Sequence, residues 1–326
     1  MNGLPASNRW AWINNRIPSQ ALLMIFLRAQ FELSLTLAVA IQVFLIVFDF
    51  RIGETMKLKR IAPILAIACL TGCSTLPPAQ HNTTPEATHT YVLSGSGSPT
   101  VILESGLGDG KASWTPVYDQ LSQLTQVFAY DRSGYGSSKS TNSSRDGATI
   151  VHELRMTLQA LKLYPPYVLV GHSIGGTYME LYARSHPEEV AGVVLVDSRH
   201  ADFTRQCQIA DARSCTLPGL LTALLPNAPK RELAAGDNTM DEVIKGGPFP
   251  NVPLVVLTSM KKPLEGERFR KVWLQTQNDL AALSSDSTHT VCNHCGHNIH
   301  KDDPKLVVAA VKDIVTQVRR KKIGSR

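Results

Sequence analysis

Between residues 91 and 318 the chain alternates two kinds of hydrophobic pattern. Short continuous apolar runs at 100–103, 127–130, 167–170, 193–196 and 253–257 predict strands buried on both faces, because a half-exposed strand would alternate apolar with polar residues. The stretches between them include helical spacing. In 149–163, Ile150, Val151, Leu154, Leu158 and Leu161 fall on one face of a helix. Near the end, Asp303 as N-cap and Pro304 in the first turn open a second such stretch carrying Leu306, Val307, Ala310, Val311, Ile314 and Val315. Strands alternating with helices predict an α/β architecture, a mostly parallel sheet with helices on both faces. Residues 198–251 match no sheet pattern and contain the apolar runs Leu217-Pro218-Gly219-Leu220-Leu221 and Leu224-Leu225-Pro226.

Upstream of residue 91 the pattern changes twice. Residues 33–48 are apolar except for Ser34, Thr36 and Gln42, a marginal membrane span. A second segment starts at Met56 with Lys57, Lys59 and Arg60, continues through an apolar run and closes on Leu70-Thr71-Gly72-Cys73, the layout of a secretory signal. A first helix entered from the cytoplasm would put those basic residues on the far side, against the positive-inside tendency. The expectation is that translation starts at Met56 and that 1–55 are an upstream extension, with a membrane anchor as the alternative. Residues 74–90, polar and Thr-rich after Pro77-Pro78, are expected to be a linker, 91–318 the folded domain and 319–326 a solvated basic tail.

Composition narrows the function. The 326 residues are 43% hydrophobic and 18% charged, which excludes disorder and fibrous classes. Of the net charge of +6, most lies in residues 1–72, which carry seven Lys/Arg against three Asp/Glu. No basic patch with interleaved aromatics follows, so no nucleic-acid partner is expected.

The decisive motif is Gly171-His172-Ser173-Ile174-Gly175-Gly176, directly after the strand at 167–170 and before a helical run. A Gly-x-Ser-x-Gly in a strand–turn–helix context is a nucleophile elbow. With it, residues 91–318 resemble the α/β-hydrolase superfamily, and the end of the signal, at Cys73, resembles a bacterial lipobox. The first resemblance implies an α/β-hydrolase fold with residues 198–251 as a lid. Val101 to Gly108 looks like the strand and loop carrying half of an oxyanion hole, with Ser105-Gly106 where members often have His-Gly. The implied donors are the backbone N–H groups of Leu107 and Ile174. Tyr130-Asp131-Arg132-Ser133-Gly134-Tyr135-Gly136 is similar to the family's Asp-Arg-x-Gly-x-Gly turn, and its charges are expected to fix loops rather than to react.

The same resemblance places the general base at His297, in Gly296-His297 ahead of the last helix, with His294 and His300 nearby. The acid is expected at Asp197, at the end of the strand at 193–196. The later strand runs into Thr258-Ser259-Met260-Lys261-Lys262 with no carboxylate before Glu265, the second candidate; Asp202 is the third. Cys207 with Cys215 and Cys292 with Cys295 are the favoured disulfides, although four cysteines allow three pairings. Cys292, His294, Cys295 and His297 could be ligands at zinc spacing, but no metal and no cofactor is expected. The resemblance implies a serine hydrolase of carboxylic esters with an apolar acyl part. Thioesterase, amidase or peptidase chemistry on the same triad and a non-catalytic binding module remain as alternatives. A serine in place of the carboxylate nucleophile of related dehalogenases and epoxide hydrolases disfavours those reactions. The lipidated Cys73 implies a protein held at a membrane of the bacterial cell envelope and facing outward.

Overall fold

The structure, a computed structural model, describes residues 75–85, 88–262 and 265–324. The extension, signal segment and Cys73 lie outside the described residues. Among those residues no helix is long and apolar enough to cross a membrane.

Eight strands form one sheet in the order β1-β2-β4-β3-β5-β6-β7-β8. They are β1 (Gln80–Thr83), β2 (Thr88–Ser94), β3 (Thr100–Glu104), β4 (Val127–Asp131), β5 (Tyr167–His172), β6 (Val190–Val196), β7 (Leu254–Ser259) and β8 (Ser287–Cys292). β1 and β2 pair antiparallel and β2 runs antiparallel to β4, while the remaining pairs are parallel. All five predicted strands are present, each at the predicted place to within a few residues.

The ten α-helices of the described residues are α1 (Thr115–Ser122), α2 (Gly147–Ala160), α3 (Ile174–Ser185), α4 (Phe203–Ile209), α5 (Gly219–Leu224), α6 (Asn227–Ala234), α7 (Gly236–Lys245), α8 (Glu267–Ala281), α9 (Ile299–Asp302) and α10 (Pro304–Gly324). Alternate residues of the central strands serve opposite faces, as the pleat requires. Ile102, Leu169, Val193 and Leu195 pack with Ile150, Leu154, Tyr178 and Met179 of α2 and α3. Val101, Val170, Val194 and Val196 pack with Trp114, Leu121, Val307 and Val311, including residues of α1 and α10. α2 begins two residues earlier than predicted because Asp146 caps it, its carboxylate accepting from Thr149 N at 2.9 Å. Asp303 accepts from Leu306 N at 3.2 Å and opens α10 as predicted.

Two boundaries differ from the sequence reading. The linker expected at 74–90 contains β1 and the start of β2. There His89 and Thr90 are buried, His89 Nδ1 lying 2.8 Å from Thr157 Oγ1 and Thr90 N donating to Ser138 Oγ at 2.7 Å. A polar edge strand satisfied by hydrogen bonds has no apolar alternation to betray it. β8, Ser-Thr-His-Thr-Val-Cys, is missing from the sequence reading for the same reason. The expected basic tail is the last turns of α10: Arg319 donates to Ser98 O and Leu124 O, each at 2.9 Å, and Lys321 pairs with Asp286 at 3.0 Å.

Candidate active site

β5 ends at His172, α3 begins at Ile174, and Ser173 forms the turn between them with φ 56° and ψ −125°. A non-glycine residue at such angles is strained and persists only where its surroundings hold it. Ser173 N donates to Val196 O at 3.2 Å, and its carbonyl accepts from Gly176 N and Arg199 N, each at 3.0 Å. The glycines make the turn possible by close approach. A Cβ on Gly171 would stand 2.5 Å from Gly176 Cα, and one on Gly175 would stand 2.5 Å from Ser105 O.

One chain of hydrogen bonds links three residues that are far apart in sequence. His297 Nε2 lies 2.9 Å from Ser173 Oγ, and His297 Nδ1 lies 2.7 Å from Asp197 Oδ2. Because a carboxylate only accepts, Nδ1 carries the proton and Nε2 is left as acceptor for the serine hydroxyl. Asp197 sits just beyond β6 and is fully buried, whereas the His297 side chain is 44% exposed.

The surroundings of Asp197 went unforeseen. Ser259 N donates to Oδ1 at 2.8 Å and Ser259 Oγ to Oδ2 at 2.7 Å. Lys262 Nζ donates to Oδ2 at 3.0 Å and Trp273 Nε1 to Oδ1 at 3.0 Å. Burial opposes the carboxylate charge, but the hydrogen bond from His297 and the Lys262 cation outweigh it and bring the Asp197 pKa down to about 2. The segment after β7, which lacks an acid, thus supplies donors to the acid of β6. Its Ser and Lys were the available signal.

The other candidates lie elsewhere. Glu265 lines the cavity beside Ser173, whereas the His297 ring is hydrogen-bonded to Asp197 and Ser173. Asp202 is engaged by Arg205 and Gln206. His294 is exposed and lies 3.3 Å from Asp303. His300 is buried against the rings of Trp114 and His172, and burial lowers its pKa to about 2. His172 donates from Nε2 to His297 O at 2.9 Å and is likewise kept neutral by burial, with a pKa of about 3, so it steadies the loop that carries His297.

Ile174 opens α3, so its N–H has no intrahelical acceptor. Leu107 lies in the loop after β3, and Arg132 secures that loop by donating to Ser105 O at 2.6 Å and Gly106 O at 3.0 Å. Asp131 accepts from Lys111 N at 2.8 Å on the same loop. The charges of the Asp131-Arg132 turn therefore hold loops.

Disulfides join Cys207 to Cys215 and Cys292 to Cys295. Ligand atoms of Cys292, His294, Cys295 and Asp303 lie within 4.8 Å of one another. With both sulfurs bonded to each other, that set presents only an imidazole and a carboxylate.

A cavity of about 370 Å³ opens at Ser173 and His297 and is walled by Phe203, Phe269 and Trp273, with Arg199 beside them. Another of about 330 Å³, bounded by β7, β8 and α10, contains no nucleophile or base from the group above.

A family described as alpha/beta hydrolase fold matches residues 99–214. An uncharacterized protein of Bacillus subtilis, YqjL, is 29% identical over 70% of this chain and 88% of its own length. Among solved structures, a thermophilic esterase from Thermogutta terrifontis is similar with a TM-score of 0.56 at 18% identity, covering 74% of this chain and 99% of its own. A haloalkane dehalogenase from Bradyrhizobium elkanii is similar with a TM-score of 0.57 at 14% identity, covering 76% and 99%. At such identities the two structures speak for the fold and not for one chemistry. The matched family covers β3, the loop after it, the elbow and β6, and together with the sheet order it shows that this chain has the α/β-hydrolase fold.

Proposed function

We propose that the protein is a serine hydrolase that cleaves carboxylic esters through an acyl-enzyme intermediate. The observation that carries this reading is the unbroken chain from Ser173 Oγ through His297 to Asp197, at 2.9 and 2.7 Å. Ser173 Oγ attacks the ester carbonyl while His297 Nε2 takes its proton, and the buried Asp197 carboxylate stabilises the resulting imidazolium. The carbonyl oxygen gathers negative charge as the tetrahedral intermediate forms. The N–H groups of Leu107 and Ile174 are the donors suited to it. His297 then returns the proton to the departing alcohol, and a water molecule, activated by the same imidazole, releases the acid and restores Ser173. The aromatic wall of Phe203, Phe269 and Trp273 suits an apolar acyl part.

A serine at the elbow, where carboxylate nucleophiles would direct the fold to dehalogenation or epoxide opening, supports ester chemistry. The test is labelling with a fluorophosphonate probe together with hydrolysis of a chain-length series of 4-nitrophenyl esters. Ser173→Ala should lose both, and turnover retained in that variant would reject the nucleophile. For location, the signal-like run ending at Cys73 supports a lipid-anchored, outward-facing protein of the bacterial cell envelope. Mass spectrometry of the mature N-terminus checks this: a diacylglyceryl-modified Cys73 is expected, and an intact Met1 would refute it.

A further inference from the structure

Arg199 stands in the Ser173 cavity with a charge that no carboxylate contacts among the described residues. Its backbone is tied to the elbow at both ends. The N–H donates to Ser173 O at 3.0 Å and the carbonyl accepts from Thr177 Oγ1 at 2.6 Å. Its side chain reaches α4 and the loop closed by Cys207–Cys215. Nη2 donates to Thr204 Oγ1 at 2.5 Å and lies 3.5 Å from Cys215 O, and the guanidinium carbon is 5.2 Å from the centre of the Phe203 ring. These contacts aim the group, yet all of them are neutral. Among the described residues Nε and Nη1 have no hydrogen-bond partner.

The buried guanidiniums of this chain are differently placed. Arg132 meets Glu104 and Glu232, and Arg145 meets Glu153. Burial pulls the Arg199 pKa below its ordinary value, with Asp237 acting against that from beyond ion-pair distance. An unpaired cation in such a place is costly unless its counter-charge arrives with a ligand. The rest of the cavity agrees with an anion. Lys261 lines it as well, Lys262 is committed to Asp197, and Glu265 is the opposing charge on the wall. A planar fork of donors suits carboxylate and phosphate oxygens.

We infer that Arg199 is a specificity-determining residue that receives an anionic oxygen group, a carboxylate or a phosphate, carried by the ester beside its apolar part. The inference rests on Ser173 being the nucleophile of that ester's hydrolysis. It describes an acidic amphiphile whose scissile carbonyl meets Ser173 while its anion meets the Arg199 fork in the same cavity.

The test uses two matched pairs of esters on the full-length protein. 4-Nitrophenyl hydrogen glutarate against 4-nitrophenyl valerate places a carboxylate in the acyl part. 1-Butyrylglycerol 3-phosphate against 1-butyrylglycerol places a phosphate in the alcohol part. In at least one pair the anionic ester should be preferred by about tenfold or more in kcat/KM, the scale of a charged hydrogen bond, and the pair that shows it identifies the source of the anion. Arg199→Met should bring that ratio to about unity and Arg199→Lys should keep part of it. In the wild type the ratio should fall as ionic strength rises. A neutral ester favoured in both pairs, or a preference that survives Arg199→Met, overturns the inference. If no ester is cleaved and Ser173 takes no fluorophosphonate, the hydrolase reading fails instead. Calorimetric titration with glutarate and with glycerol 3-phosphate then reads Arg199 alone: binding lost in Arg199→Met supports the anion-receiving part of the inference, and no binding to the wild type sinks it.

Discussion

Two clusters of buried carboxylates lie close to the elbow, and they use burial in opposite ways. In the first, Glu104, Glu153 and Glu232 are matched by Arg132 and Arg145, all 3% exposed or less. Arg132 donates to Glu232 from Nε and Nη2, each at 2.9 Å, and Arg145 Nη1 donates to Glu153 at 2.8 Å. Tyr135 adds a hydroxyl to Glu232 at 2.7 Å. Burial works against the Arg132 charge, but Glu232 and Glu104 more than offset it and hold its pKa well above the ordinary value. Every charge here meets another, and the cluster is closed. In the second, Asp197 is equally buried and equally well supplied with donors, but one of them is a histidine that reaches the cavity and the serine. A closed cluster fastens chain segments together. In the proposed reaction an open one stabilises the charge that appears and disappears on His297.

The same contrast divides the insertion at 198–251. Glu232 lies on α6, so the Arg132 network ties that helix to the loop after β3, and Thr239 of α7 accepts from Gly147 N at the start of α2 at 2.9 Å. α5, by contrast, turns Leu220, Leu221 and Leu224 to solvent at 76%, 51% and 75% exposure. The insertion predicted as a lid is thus half fastened to the core, through ion pairs that join α6 to Arg132 and Arg145.

The largest expected effect separates the clusters most cleanly. Ser173→Ala or Asp197→Asn should lower kcat by on the order of 10⁴ or more, and for Ser173→Ala the thermal transition should stay nearly in place. Arg132→Met should act chiefly on stability, with a smaller loss of kcat because Arg132 also holds the loop that carries Leu107. Leaving Glu104 and Glu232 buried without their cation costs about 3–5 kcal/mol, read as a fall in Tm on the order of 10 °C. A variant as stable as the wild type would show that the closed cluster is not a fastening.

Acid stability gives a finer division. Asp197 has its pKa depressed from 3.8 to about 2, so its charge stabilises the fold above pH about 4, and that contribution is lost as pH falls towards 2. Lys262→Met removes a cation that lowers it, so the loss between about pH 5 and 2 should be smaller and should be complete at higher pH. Urea midpoints measured from about pH 5 to 2 would detect it, and superimposable curves would mean that Lys262 does not tune the acid. The smallest effects belong to the rival carboxylates. Asp202→Asn should change kcat about twofold at most and Glu265→Gln no more than a few-fold, against about 10⁴ for Asp197→Asn. Inactivity of the Glu265 variant with normal turnover in the Asp197 variant would move the acid to the later strand.

Local chemistry, written in consecutive residues, is what the sequence by itself determined. Apolar runs buried on both faces mark β3 to β7, because only a strand covered on both sides can be apolar throughout. Glycines crowded around Ser173 mark the elbow, because no side chain fits between strand and helix there. The tertiary structure decided everything that depends on partners from distant segments. The polar edge strands β1 and β8 and the polar start of β2 exist because a neighbouring backbone satisfies them, and their side chains carry little sign of it. Ser259, Lys262 and Trp273 surround Asp197 only because β7 and α8 fold against the end of β6. Whether an arginine is paired, as in Arg132, or left facing a cavity, as in Arg199, depends on which carboxylate the fold brings within about 3 Å, and sequence spacing holds no record of that distance.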